Sequence, residues 1–254
     1  MKPQNKEYVA PHPILSEYYG DESERRGRVD KMFDSSAKHY DWITNIMSFG
    51  SGDWYRRRAL ERSGLKPDMR ILDVGSGTGV VAYLAQSIIQ DQGLVVALDP
   101  SMGMLSEART LGVRNITQGL GEKLPFPDDT FDRVTMGYAL RHVADLHSLF
   151  AEYRRVLKPG GEILLLEITR PESALPRALL KFYMKGVVPT LTRLFRQSRE
   201  AQELMRYYWD TIEQCVSPST IMATMEKAGL NQSQRHVMLG IFSEYSSIKA
   251  KTNR

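Results

Sequence analysis

Cysteine is nearly absent: Cys215 is the only one in 254 residues. That excludes an internal disulfide framework and fits a reducing compartment. With no His-and-acid neighbourhood around it, Cys215 reads as a small apolar packer. No apolar run approaches the roughly 20 residues that span a bilayer. Residues 1–20 are polar and carry Pro3, Pro11 and Pro13, which does not fit a secretory signal. Repeats and low-complexity tracts are missing, and no array of basic and stacking residues marks a nucleic-acid binder. The net charge is only +4, which permits an anionic partner or surface without demanding one. A hydrophobic content of 42% and a charged content of 25% are ordinary for a soluble globular chain. The length suits one α/β domain with additions.

What is present centres on Ile71-Leu72-Asp73-Val74-Gly75-Ser76-Gly77-Thr78-Gly79. An apolar run ends in an acid, breaks into alternating glycines, and continues as the apolar stretch Val80 to Ile89. Glycine lets backbone approach a ligand where a Cβ would clash, and a helix start aims N–H groups at it. A phosphate loop is disfavoured, because no Lys-Ser or Lys-Thr pair follows. The spacing Gly-x-Gly-x-Gly also departs from the dinucleotide fingerprint. A second apolar run, Leu94 to Leu98, ends in Asp99, placed to accept hydrogen bonds from two ribose hydroxyls. The two elements together indicate a nucleoside-bearing cofactor, and they resemble the S-adenosylmethionine-dependent methyltransferases of the Rossmann-like class.

Taken in order, residues 1–28 read as a loose tail. Val29, Met32, Phe33, Ala37, Tyr40, Ile43 and Met47 recur at helical spacing and predict one or two amphipathic helices. Ser48-Phe49-Gly50-Ser51-Gly52 breaks them. The rings in 29–65 either pack this helical cap onto a sheet or line an apolar pocket. Beyond Leu65 strands and helices alternate: strands at Met69–Val74, Leu94–Asp99, Val113–Gln118, Phe131–Met136 and Glu162–Ile168, with Ser101 and Asp145 as helix caps. Residues 171–216 form a helical cap insertion, which Gly186 and Pro189 are expected to split. Its span from Ser173 to Arg199 carries Arg177, Lys181, Lys185, Arg193, Arg196 and Arg199 and no acid. Such a stretch suits an anionic membrane surface, and a cap over the active site with a solvated basic face accounts for it equally. Residues 217–254 read as a helix stopped by Gly229 and a hairpin. The expectation is an α/β Rossmann-like fold: a doubly wound, mostly parallel sheet whose cofactor-binding core is 66–170, with a C-terminal antiparallel hairpin and an N-terminal helical cap.

Three stretches resemble the ubiquinone/menaquinone biosynthesis C-methyltransferase family. They are Phe33-Asp34 through Tyr40-Asp41 to Gly50, then Leu124-Pro125-Phe126 through Leu140-Arg141, and Arg155-Val156-Leu157-Lys158-Pro159-Gly160-Gly161 with Leu166-Glu167. The resemblance implies S-adenosyl-L-methionine as cofactor, held by Asp73, Gly75, Gly77, Thr78, Asp99, Met102, Leu120, Gly121 and Gly137. Asp73 is expected to order the loop and reach the methionine amino group. Departures matter as well. Where the family has Asp-Ala or Asn-Ala beside the adenine, this chain has Leu120-Gly121. Arg141-His142 stands for Arg-Asn, and the last hairpin lacks the family's Ala-x-His-x-Gly. The acceptor side is therefore altered, and a divergent member is implied.

Methyl transfer to an aromatic carbon needs positioning, exclusion of water and an electron-rich ring. A base beside the ring hydroxyl and a cation for the phenolate supply the last. Arg141 is assigned the anion and His142 the part of base or orienter. Alternatively Arg141 pairs with an acid such as Asp145 and His142 merely caps a helix. Tyr40, Tyr138, Tyr207 and Tyr245 are the candidate substrate residues. No metal is required. The expected acceptor is a quinone precursor or another aromatic, lipid-like molecule. O- or N-methylation of a soluble metabolite, and a non-catalytic accessory role, stay open. The same reading places the chain in the cytoplasm and leaves open contact with the inner membrane face, a biosynthetic complex and a homodimer.

Overall fold

The computed structural model describes residues 8–48, 50–191 and 199–251. Five strands, β1 (Arg70–Val74), β2 (Leu94–Asp99), β3 (Asn115–Gln118), β4 (Phe131–Gly137) and β5 (Leu157–Ile168), pair in parallel. A hairpin of β6 (Leu230–Met238) and β7 (Phe242–Lys249) completes the sheet, with β7 antiparallel to β5. The strand order is β3-β2-β1-β4-β5-β7-β6, which reverses direction between β1 and β4. Ligands of open α/β sheets gather at that reversal, beyond the carboxyl ends of the strands.

Buried strands read as continuous apolar runs because both faces are covered. On one face α5 (Leu146–Val156) and α8 (Pro218–Lys227) bury Leu149, Phe150, Tyr153, Ile221 and Met225 against Leu72, Val134, Ile163 and Leu165. On the other, α2 (Gly52–Arg62), α3 (Val80–Ile89) and α4 (Met102–Leu111) cover Ile71, Val95, Ala97, Leu164 and Leu166. Ser101 and Asp145 cap α4 and α5 as expected, accepting from Met104 N and from His147 N and Ser148 N. A third cluster lies between α1 (Glu22–Met47), α6 (Ala174–Phe182) and α7 (Arg199–Gln214), where Met32, Met184, Leu204, Tyr208 and Trp209 are buried.

Two expectations change. The charged run from Asp21 is the start of α1, with the Asp21 side chain accepting from Ser23 N and Glu24 N, so 8–28 is not a loose tail. Residues 8–20 are docked as well: Val9 N donates to Asp145 Oδ1 at 2.8 Å, Val216 N donates to Pro11 O at 2.8 Å, and Leu15 and Tyr19 are buried. At Gly186 the segment does not break. It widens into a π turn, Tyr183–Val187, and stays helical to Leu191. Phe49, Arg193 and Arg196 lie outside the described residues.

His12 fixes this docked segment and makes it pH-sensitive. The ring is 1% exposed, with Nδ1 2.7 Å from Pro13 O and Nε2 3.0 Å from Arg25 Nη2. Both contacts suit a neutral ring donating from Nδ1 and accepting at Nε2. Burial, and then the Arg25 charge, push its pKa down to about 4. Below the ordinary value the unfolded chain takes up a proton that the folded chain refuses, so this contribution to stability is lost as pH falls from 6.5 towards 4. It amounts to about 3 kcal/mol. Urea denaturation of wild type and His12→Gln across that range should give a shallower pH slope in the variant.

Candidate functional site

β1 passes into a turn whose glycines alternate into the left-handed region: φ is +62° at Gly75, +55° at Gly77 and +83° at Gly79. Only glycine adopts these angles without strain. The turn is held to β2 by Ser76 N donating to Leu98 O at 3.1 Å. Asp99, at the tip of β2, accepts from Gly77 N at 2.8 Å through Oδ2 and from Ser101 N at 2.9 Å through Oδ1. Burial pushes its carboxyl up to about 6 against the pull of those two amides.

α1 crosses over this turn. Asp34 Oδ1 accepts from Gly103 N at 3.0 Å and from the Ser101 hydroxyl, while Asp41 Oδ1 accepts from Thr78 Oγ1 at 2.5 Å. Asp34 and Asp41 are seven residues apart, two helical turns, and so share a face. One helix face thereby straps the starts of α3 and α4. Both aspartates belong to the stretch from Phe33 to Gly50 that carries the family resemblance, where spacing alone assigns them no partner.

A single cavity follows. Gly75, Gly77, Asp99, Leu120, Gly121 and Gly137 line it, and so do Phe33, Tyr40, Tyr138, His142 and Tyr208. Nine of the residues singled out from sequence therefore meet in one place. Tyr138 holds φ +62°, a strained angle for a tyrosine, and Arg56 sits 5.1 Å over its ring. The Tyr40 and Tyr208 hydroxyls are hydrogen-bonded to each other. His142 Nδ1 lies 3.3 Å from Tyr207 Oη, the two rings are stacked, and Phe33 meets the imidazole edge-on at 5.0 Å. Its Nε2 is buried without a partner. Burial first, then the Arg141 charge, hold this imidazole well below its usual pKa, so it is neutral.

Six expected residues lie elsewhere. Asp73 is fully buried behind the turn, where its Oδ1 accepts from Thr135 Oγ1 at 2.7 Å, and burial pushes its carboxyl up to about 7. Thr78 is turned to Asp41. Met102 is 54% exposed at the start of α4, and Met104, two residues on and on the opposite face of the helix, lines the cavity in its place. Tyr207 touches the site only through His142. Tyr245 pairs with Leu165 across the β5–β7 ladder and belongs to the sheet core, beside a separate cavity shared with Cys215 and Arg235. There burial pushes the Cys215 thiol up to about 12, which keeps it protonated.

Arg141 is the largest correction. Its guanidinium is wholly buried and donates from Nε to Glu167 Oε2 at 2.9 Å and from Nη1 to Thr211 Oγ1 at 2.6 Å. The acid partner is Glu167, not Asp145, and the guanidinium is not among the groups lining the cavity. Its Nη1 and Nη2 reach the carbonyls of Tyr208 and Tyr138 at 3.4 Å. It therefore braces two rings of the cavity wall.

Gly121 has a steric reason to be glycine. A Cβ there would come within 2.6 Å of Leu149 Cδ1 and 3.0 Å of Val74 Cγ1. Gly121→Ala should cost about 1–3 kcal/mol in urea denaturation, the usual penalty of overpacking.

These parts suit a sulfonium donor carrying a nucleoside. A carboxylate stands at the β2 tip, and a Cβ built on Gly77 would meet nothing within 4 Å, leaving room at the turn. Leu120, Met104 and Val74 offer apolar cover for a base. Fold and site together define a class I S-adenosylmethionine-dependent methyltransferase. A solved structure of that fold, the Haemonchus contortus phosphoethanolamine N-methyltransferase 2 with S-adenosyl-L-methionine, superposes with a TM-score of 0.63 at 19% identity, over 89% of this chain and 60% of that one. The profile of the ubiE/COQ5 methyltransferase family matches residues 21–249. The chain is 32% identical over 237 residues to the ubiquinone/menaquinone biosynthesis C-methyltransferase of Saccharophagus degradans, covering 90% of this chain and 94% of that protein. Against the same enzyme of Shewanella halifaxensis it is 34% identical over 211 residues, 80% and 83% of the two chains. The chain belongs to the ubiE/COQ5 methyltransferase family.

Proposed function

We propose that this methyltransferase C-methylates an aromatic, lipid-like acceptor of the quinone-precursor class, as the names of its relatives suggest. The observation that supports this most is the continuity of one cavity, lined both by the glycine turn with Asp99 and by Phe33, Tyr40, Tyr138, His142 and Tyr208.

S-adenosylmethionine, when bound, supplies an electrophilic methyl group. Asp99 would accept from the ribose hydroxyls, and the turn amides and the start of α3 would take the carboxylate of the methionine part. Leu120 replaces a polar side chain beside the base, leaving recognition there to backbone groups and packing. Around the acceptor the rings exclude water, which strengthens every remaining polar contact. With Nδ1–H donating to Tyr207 Oη, His142 Nε2 keeps a lone pair for a ring hydroxyl of the acceptor. Its depressed pKa makes it a weak base, so its part is to hold that hydroxyl and draw off its proton as the new C–C bond forms. Arg141 acts from behind, through the Tyr138 and Tyr208 carbonyls.

Deleting the gene and analysing lipid extracts by mass spectrometry tests the reading. A species lighter than a normal quinone or its precursor by one methylene should accumulate. An unchanged lipid profile would overturn it.

A further inference from the structure

The helix α6 carries an exposed apolar ridge. Leu175, Leu179 and Phe182 are 71, 60 and 69% exposed, and no residue of the helix is buried. Their spacing of four and three places them on one ridge. Its basic residues flank this ridge, each half-exposed and paired at its tip with an acid of α7. Arg177 Nη2 lies 2.7 Å from Glu213 Oε1, Lys181 Nζ 3.8 Å from Glu213 Oε2, and Lys185 Nζ, in the π turn, 2.7 Å from Asp210 Oδ1. A surface helix of a globular protein normally buries its apolar stripe. Nor is α6 a loose end. Met184 and Val188 just beyond it are 3% and 0% exposed, and Tyr183 Oη donates to the Ile46 carbonyl of α1 at 2.7 Å. The ridge is thus presented on a fixed support.

We infer that α6 docks the enzyme on an anionic bilayer, with Leu175, Leu179 and Phe182 entering the headgroup–acyl boundary. Charge favours lipid. The span from Ser173 to Arg199 holds six basic residues and no acid. On α6 and its π turn Arg177, Lys181 and Lys185 pair with Glu213 and Asp210 yet stay 41, 53 and 40% exposed, within reach of lipid headgroups beside the ridge. A second copy of the chain fits poorly, since a two-fold interface sets each patch against itself and brings like charges together. A protein partner fits poorly too. Three apolar side chains fall far short of the roughly 20–30 residues a side of a stable protein interface, and none of the three lines either cavity described above. For an interfacial helix, a few large apolar groups with basic neighbours suffice. Because the ridge lies outside the cofactor cavity, this inference stands or falls separately from the acceptor.

Sedimentation with phosphatidylglycerol and with phosphatidylcholine vesicles tests it, using the full chain and the triple variant Leu175→Ser, Leu179→Ser, Phe182→Ser. Wild type should pellet with the anionic vesicles and much less with the neutral ones. The triple variant should lose about 100-fold or more in partitioning, on the scale of losing several buried apolar side chains, while its affinity for S-adenosylhomocysteine stays the same. Equal pelleting of the two proteins, or no pelleting of wild type, overturns the inference. So does a wild-type dimer in analytical ultracentrifugation that the triple variant reduces to a monomer, which would make the ridge a protein interface.

Discussion

Asp99→Ala is expected to weaken binding of S-adenosylhomocysteine by about 100-fold, measured by calorimetry. Hydrogen bonds to a charged group are worth about 1.5–3 kcal/mol each, and Asp99 would accept two from the ribose hydroxyls while it accepts from Gly77 N and Ser101 N of the turn. Asp99→Asn should rescue little. Both carboxylate oxygens already accept from backbone N–H groups, so either orientation of an amide sets its NH2 against a donor. The same geometry predicts a pH dependence. The carboxyl, raised to about 6, is ionised above that value and protonated below it. Affinity should therefore hold at pH 7 to 8 and decline as pH falls through about 6. Affinity unchanged from pH 8 to 5, or a fully competent Asp99→Asn, would remove Asp99 from the binding role.

Arg141→Ala is expected to cost about 3–5 kcal/mol of stability, the loss seen when one partner of a buried ion pair is removed. For a chain of this length that lowers Tm by on the order of 10 °C. Glu167 would be left 3% exposed with only the Leu140 and Ile168 amides for partners. Arg141→Lys should not rescue, since an ammonium lacks the planar fork that reaches Thr211 and the two tyrosine carbonyls together. Arg141→Met combined with Glu167→Gln should recover much of the loss. As a positioning residue, Arg141 should affect turnover mainly by raising KM for the acceptor. A loss confined to kcat, in a variant as stable as wild type, would restore a direct catalytic role.

Local signals carried far in this sequence. The apolar strands, the Ser101 and Asp145 caps and the C-terminal hairpin are all written in neighbouring residues, so the sheet and the position of the cofactor turn were legible. Contacts that depend on distant partners were not. Nothing near Arg141 announces Glu167, which arrives from β5 twenty-six residues later. Residues 8–20 show no helical or strand period, because they dock through single backbone bonds to Asp145, Leu146 and Val216. Tyr245 was misassigned because the face of a hairpin residue follows register, and its pairing with Leu165 turns it into the core. Phe33, one of the rings of 29–65 left open between packing and pocket, and Tyr208, not named as a site residue, both line the cavity. They sit on helices whose periodicity reported burial but not which void they border.

Transfer of an isotope-labelled methyl group by the purified enzyme tests the central claim most directly. The acceptor would be the lighter lipid from the deletion strain and the donor S-adenosylmethionine carrying carbon-13 in its methyl. NMR of the product should place the label on a ring carbon, with Asp99→Ala nearly inactive at the same donor concentration. A label on oxygen or nitrogen, or full activity without Asp99, would contradict the account.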